Sequence, residues 1–465
     1  MTAKAARKQS PPSSLLSRAV GLDLRSLAAF RIAIALFVLY DLATRAVDLS
    51  AHYSDAGALP RNWVVPYFSI LPAYRDWNWS GLSVHMLSGS ALVIGLIFAL
   101  HALAAIAMMV GYRTRLATFI VWFLMCSLHT RNPLVLSVGD EVLRVLLFFA
   151  LFLPLSSRVK GSYASPATAA YYLQFIAIYF FSALLKSGPE WRTDGTAVYY
   201  AFNFDQFALG FAKTLLNYPQ LLKVLSLAIW WLELLGAFIL LIPNPFAKLA
   251  GIVLLAGLQI GIGTTLAIGH NPWANLIALI PFIPALGKSA TAARVEKHWW
   301  AEAIATFFIV GVLIYNAAWI VPLNSIKSMV ELPVLAARLE QYWGMFAPAP
   351  SKDDGWYVVE GRLTRGATVE AFRRERDVHY EKPATAAGFY PNERWRRYIM
   401  NVGTRDYREF RLPFSQYVCR EWNLTNAGPD HLEQVRLVFM RETTLPPGQE
   451  PKVENLLFYE YSCLP

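Results

Sequence analysis

The chain has 465 residues, of which 55% are hydrophobic and only 16% charged, with a formal net charge of +10. That balance excludes an ordinary soluble protein, which would need more charge to cover cores of this size. Nucleic acid is not an expected partner, because Lys and Arg are scattered between apolar blocks rather than gathered in a basic stripe.

The apolar residues come in long blocks, and the mean hydropathy is +0.36. Leu225 to Ile242 is apolar all round, so its surroundings must be lipid or other buried helices. In chain order, membrane spans are expected over 27–47, 89–111, 115–131, 139–156, 168–186, 220–242, 246–268, 271–286 and 301–322. The first block is followed by no small-residue cleavage site and is expected to remain as an anchor. The fourth and eighth are short, and the eighth also reads as re-entrant. Pro154, Pro243, Pro245, Pro281, Pro284 and Pro322 fall at or near span ends, where a broken backbone is tolerated.

Charge sets the expected orientation. With the N-terminus in the cytoplasm, the inner segments carry Lys4, Arg7, Lys8, Arg18, Arg25, Arg113, Arg115, Arg158, Lys160, Lys248, Lys288, Arg294 and Lys297. The longer outer segments hold only Arg61, Arg75, Arg131, Lys186, Arg192 and Lys213, which is the positive-inside bias. An odd number of crossings then leaves the C-terminal domain in the periplasm of a bacterial inner membrane.

After Pro322 the composition changes. Leu332 to Phe346 reads as an amphipathic helix on the membrane surface. Alternating segments at Gly355–Leu363 and Glu433–Phe439 read as strands, and Asn392 to Tyr407 as a helix. Cys419 and Cys463 both lie in this exported part, either free or paired, while Cys126 sits in a span. The expected fold is an all-α polytopic membrane bundle of about nine transmembrane helices with a small C-terminal α+β soluble domain. Its parts are a cytoplasmic tail (1–26), the transmembrane domain (27–322), an amphipathic linker (323–350) and the exported domain (351–465).

Ionisable residues inside spans are costly and point to function. Asp41 and Arg45 lie one helical turn apart and can neutralise each other. Arg31 can snorkel to the cytoplasmic face. His129, Arg131, Asn132 and Asp140 crowd one short outer connection, although Asp140 also suits a helix N-terminus. Glu233 lies mid-span, His270 opens the eighth span, and Lys186 ends the fifth, just before Trp191 and Asp194. A lysine there either snorkels into the headgroups or is desolvated enough to serve as a base. No Cys/His spacing suggests a metal.

Several stretches together resemble the HTTM family, the membrane domain shared with vitamin K-dependent gamma-carboxylase. They are Leu27-Ala-Ala-Phe-Arg-Ile with Asp41, and His52-Tyr-Ser-Asp-Ala-Gly-Ala-Leu-Pro-Arg. Arg131-Asn-Pro, Gly139-Asp-Glu-Val-Leu-Arg and Phe152-Leu-Pro-Leu follow. The last is Tyr179-Phe-Phe-Ser-Ala-Leu-Leu-Lys186 with Trp191 and Asp194-Gly-Thr-Ala. The resemblance covers most of residues 20–320. It implies a lysine, here Lys186, that deprotonates a reduced quinone of the vitamin K type, whose reaction with oxygen yields a base strong enough to remove a proton from a glutamate side chain, to which carbon dioxide then adds. Two features depart from the carboxylases: Leu185 stands where they carry a second lysine, and the exported region is short, as in bacterial HTTM proteins.

Two functions follow as expectations. A quinol-dependent membrane enzyme requires a buried Lys186 beside a lateral opening, with Arg31, Asp41, His129, Arg131, Asn132, Asp140, Trp191, Asp194, Glu233 and His270 as candidate pocket residues. A non-enzymatic protein that binds lipid or assists an exported peptide or protein requires Lys186 among the headgroups and a groove on the exported domain. A transporter is disfavoured by the absence of an internal repeat.

Overall fold

A computed structural model describes residues 15–70, 83–156, 160–284, 295, 298–383, 385–446, 448–449 and 451–463. Lys4, Arg7, Lys8, Arg75, Arg158, Lys288, Arg294 and Lys297, part of the basis for the orientation, lie outside the described residues, as do positions 285–286 of the eighth expected span.

The membrane part is built from α1 (Leu24–Ala46), α2 (Ala91–Val110), α3 (Thr114–Arg131), α4 (Val138–Ala150), α5 (Pro166–Leu185), α6 (Pro219–Leu235), α7 (Pro245–Thr265), α8 (Asn271–Leu279) and α9 (Trp299–Ala317). Local chemistry sets their ends. Asp23 caps α1 by accepting from the Arg25 amide, and Asn244 caps α7 with Pro245 at the first helical position. Ser137 and Asp140 form a reciprocal capping box at the start of α4. Gly111, at φ +83°, closes α2 in the left-handed conformation that glycine adopts without a Cβ penalty.

Among the described residues, six helices are long and apolar enough to cross a membrane: α1, α2, α5, α6 with its 3₁₀ continuation to Leu241, α7 and α9. The other three expected spans differ. α3 has 18 residues but follows Arg113 at its N-cap, ends on Arg131 and buries polar groups, while α4 has 13 residues and α8 nine. At 1.5 Å per residue the last two reach roughly 20 and 14 Å, short of a hydrocarbon core of about 30 Å. Eleven of the 13 residues of α4 are buried, so neighbouring helices rather than lipid surround it.

Contacts sort the helix ends into two groups. At one end Leu22 pairs with Tyr163, Lys248 donates to Ala19 O (2.6 Å), Ser26 to Ile283 O (2.9 Å) and Tyr163 to Glu302 (3.0 Å). These contacts gather the starts of α1, α5, α7 and α9. At the opposite end the C-terminal domain meets α1, α4 and α8 through Arg394. The lipid-facing surface is apolar, as along Leu92, Leu96, Leu100 and Leu103 of α2.

The linker departs from expectation. Its helix, α10 (Asn324–Ala336), ends before Arg338, which takes a left-handed φ of +52°. Residues 337–346 then run as non-helical chain into the bundle instead of lying amphipathically on its surface. Polar partners explain this: the buried Gln341 exchanges hydrogen bonds with Gln174 of α5 (3.0 and 3.1 Å) and accepts from Trp343 Nε1 (3.0 Å).

The C-terminal domain carries an antiparallel sheet in the order β2 (Thr368–Glu370), β1 (Asp353–Leu363), β3 (Leu432–Thr443), β4 (Lys452–Ser462). Strand alternation sends Trp356, Val358, Val438 and Met440 to a small separate core. Tyr357, Val359, Val435 and Leu437 instead join the main core with α11 (Glu393–Gly403) and α12 (Arg411–Asn423). A Cys419–Cys463 disulfide ties α12 to the end of β4.

This domain is expected to respond to pH. Burial, only partly offset by backbone hydrogen bonds, pushes Asp354 up to about 7; burial likewise lifts Glu370 to about 7, against the pull of Arg373. A carboxyl raised in the folded state holds a proton that the unfolded chain has released. The contribution of each of these two carboxyls to stability is therefore greatest below pH ~4 and falls as pH rises towards 7, by up to about 4 kcal/mol for Asp354. Asp354→Asn should flatten that slope by about half in melts followed at several pH values, because Glu370 supplies the remainder. An unchanged slope would rule out Asp354 as a source.

Candidate functional site

An apolar cavity of about 420 Å³ lies between α5, α6, α7 and α8 at the end of the bundle nearer the C-terminal domain. Helical spacing directs the side chains into it: Ile178, Ser182 and Lys186 follow one another at four-residue intervals on α5, and Leu225, Ile229 and Glu233 do so on α6. Lys186 is only 3% exposed and turns inward to line the cavity. Its Nζ donates to Glu233 Oε2 (2.5 Å) and Ser182 Oγ (2.6 Å) and sits 5.2 Å from the ring centre of Trp191. Ser182 also donates to Glu233 (3.3 Å). A charged pair with a hydroxyl bridge thus forms the polar spot in an otherwise greasy wall. Polar atoms elsewhere come from Gln259, which donates to Tyr179 (2.9 Å), and from Asn271 and Asn275.

A second buried cluster lies behind the cavity wall. Asp41 accepts from Arg45 Nε (2.8 Å) and Arg394 Nη2 (2.6 Å). Asp140 accepts from Arg45 Nη2 (2.5 Å) and Arg394 Nη1 (2.7 Å). Arg45 also donates to Tyr53, and Arg394 to Val135 O and His270 Nδ1. Two carboxylates and two guanidiniums balance, with all four side chains at most 5% exposed. Asp41, Asp140 and His270 bring ligand-type atoms within 4.8 Å of one another. The carboxylates, however, are engaged by the two guanidiniums, so the donor set serves arginine recognition rather than a cation.

The structure divides the sequence candidates between several places. Lys186, Trp191 and Glu233 share the cavity. Asp41, Asp140 and His270 share the arginine cluster, with His129 beside it, its Nε2 3.8 Å from Asp140. Val138 and Asn271 line the cavity one residue away from Gly139 and His270, so the two centres are neighbours without merging. Arg131 donates to Leu59 O and Ser54 O, and Asn132 to His52 O; these residues fasten the outer loop after α1. Arg31 lies against Gly111 near the other end of the bundle, ten residues or roughly 15 Å along α1 from Asp41, and belongs to neither centre. Asp194 is exposed and accepts from Thr193.

Sequence reasoning did not single out Arg394, Gln259, Asn275, Ser182 or Trp343 for these sites. Gln259 carried a readable signal, a lone amide within the apolar run Gly257-Leu-Gln-Ile-Gly261. Arg394 carried none, because one arginine among several on an amphipathic soluble helix does not announce a membrane-buried partner. Comparison of the chain with protein-family profiles, curated proteins and solved structures gives no match in any of the three.

Proposed function

We propose that the chain is an HTTM-type, quinol-dependent enzyme of a bacterial inner membrane, crossing it nine times with its N-terminus in the cytoplasm and its C-terminal domain in the periplasm. The observation that carries the catalytic reading is the Lys186–Glu233 pair, bridged by Ser182, in the wall of an apolar cavity. The cavity's size falls in the range of roughly 300–1,000 Å³ usual for small-molecule sites. Its mainly apolar lining, with polar groups at the Lys186–Glu233 pair and at Gln259 and Asn275, suits a flat apolar ring bearing hydroxyls.

An odd number of crossings agrees with residues 19–26 and Arg394 making their contacts at opposite ends of the bundle. The six long helices alone are even in number, so α3 and the two short, shielded helices supply the remaining passages.

In this reading a reduced quinone supplies the electrons that pass to oxygen. The chain's own part is proton handling. Lys186 passes its proton to Glu233 across 2.5 Å, and the freed amine takes the proton of the substrate hydroxyl while Ser182 holds the pair in line. Trp191 keeps water from the amine. The test is oxygen-dependent oxidation of a long-chain naphthoquinol by the purified protein in nanodiscs. Turnover that falls by about 10²–10⁴ in Lys186→Ala supports the base role. Absence of turnover, or an equally active variant, overturns it and leaves a cavity that binds without chemistry.

A further inference from the structure

The cavity has two unlike sides. Towards the exported domain it is closed by Trp191, Trp343, Met345 and Phe346. This roof is stitched down by Trp191 Nε1 donating to Phe346 O (2.9 Å) and by the Gly188 amide donating to Pro348 O (2.9 Å). Both tryptophans are 3% exposed. Towards the bilayer the lining residues are Phe211, Ala228, Gly257 and Gly261, and all four are exposed. A Cβ placed on Gly257 or Gly261 would meet no atom within 4 Å. Small residues on facing sides of α6 and α7 therefore leave a gap at lipid level.

Within the lining, Gln259 and Asn275 are 4% and 2% exposed, and neither side-chain carbonyl oxygen has a hydrogen-bond partner among the described residues. Their amide nitrogens are engaged, by Tyr179 and by Asn271 respectively. Two buried acceptors beside a cavity with an apolar mouth call for an occupant that brings its own donors.

We infer that the cavity fills from the bilayer through the gap between α6 and α7, and that its occupant is an amphiphile. Its apolar chain leaves past Ala228, Gly257 and Gly261, and its hydroxyl-bearing head reaches Gln259 and Asn275. A peptide arriving from the exported side is excluded by the tryptophan roof, so the substrate class is membrane-resident. The inference rests on the cavity being a binding site, as in the reading above, but not on catalysis.

The test uses the full chain in phosphatidylcholine nanodiscs and a monoacylglycerol carrying a diazirine in its acyl chain, with photolabelled positions mapped by peptide mass spectrometry. Label is expected on the cavity-facing parts of 225–233 and 257–265. Gly261→Trp, and independently Gly257→Phe, should lower that label about tenfold. Leu254→Trp, on the lipid-facing side of α7, should leave it unchanged. Equal labelling after both glycine substitutions overturns the lateral gap. The methyl ester of the same fatty acid, lacking the hydroxyls, should label about tenfold less; equal labelling overturns the assignment of Gln259 and Asn275. Excess long-chain naphthoquinol and excess diacylglycerol are then added in turn as competitors. Whichever suppresses the label identifies a quinol or a lipid as the better occupant, and suppression by neither overturns the hydroxyl-bearing amphiphile. Labelling requires no turnover, so failure of quinol oxidation leaves this inference standing. Lys186-dependent oxidation with unblocked glycine variants removes the inference alone.

Discussion

Arg394→Met is expected to lower stability by about 3–5 kcal/mol, the cost of leaving a buried charge uncompensated. Arg394 is the C-terminal domain's contribution to a four-charge cluster set within the bundle, and it contacts Asp41, Asp140, His270 and Val135 O at once. Without it, Arg45 alone faces two buried carboxylates. Arg394→Lys should recover little, because an ammonium cannot span both carboxylates as the planar fork does. Asp140→Asn in the Arg394→Met background should recover part of the loss, since it removes the excess negative charge. The measurement is thermal unfolding in nanodiscs, with limited proteolysis to show whether the C-terminal domain loosens from the bundle first. A variant as stable and as protease-resistant as the parent would mean that the domain is seated by its apolar contacts, and that the cluster is incidental to docking.

The membrane character of the chain was legible because it is a property of blocks: long apolar runs need no tertiary information to interpret. The C-terminal strands and the helix around Trp395 were legible for a similar reason, as alternation and amphipathicity are local patterns. Number and depth of crossings were harder. Residues 139–156 and 271–284 are apolar because protein surrounds them, and hydropathy does not distinguish a helix shielded by neighbours from one bathed in lipid. The linker misled for the opposite reason. Its amphipathic pattern is real over Asn324–Ala336, but Gln341 finds Gln174 some 170 residues earlier in the chain, and no local pattern encodes that meeting. Site residues followed the same rule. Lys186 and Glu233 stood out as charges in apolar surroundings, whereas their pairing, and the separation of their cavity from the Asp41 cluster, are facts of packing.

The pairing allows the two roles of Lys186 to be separated by a double-mutant cycle. Lys186→Met leaves Glu233 buried opposite a thioether, and Glu233→Gln leaves the ammonium opposite a neutral amide. Each single change is expected to cost about 3–5 kcal/mol. The double variant should cost clearly less than the sum, with a coupling of up to about 3 kcal/mol, because no orphaned charge remains. Activity should behave differently from stability. If the pair only holds α5 against α6, the double variant regains function as it regains stability. If Lys186 removes the substrate's proton, the double variant is stable and still inactive, while Glu233→Gln alone retains a fraction of the rate, since the base is present but has lost its proton acceptor. Stability restored without turnover is the result expected here. Turnover restored together with stability would reduce the pair to a structural clamp and place the chemistry, if there is any, elsewhere in the cavity.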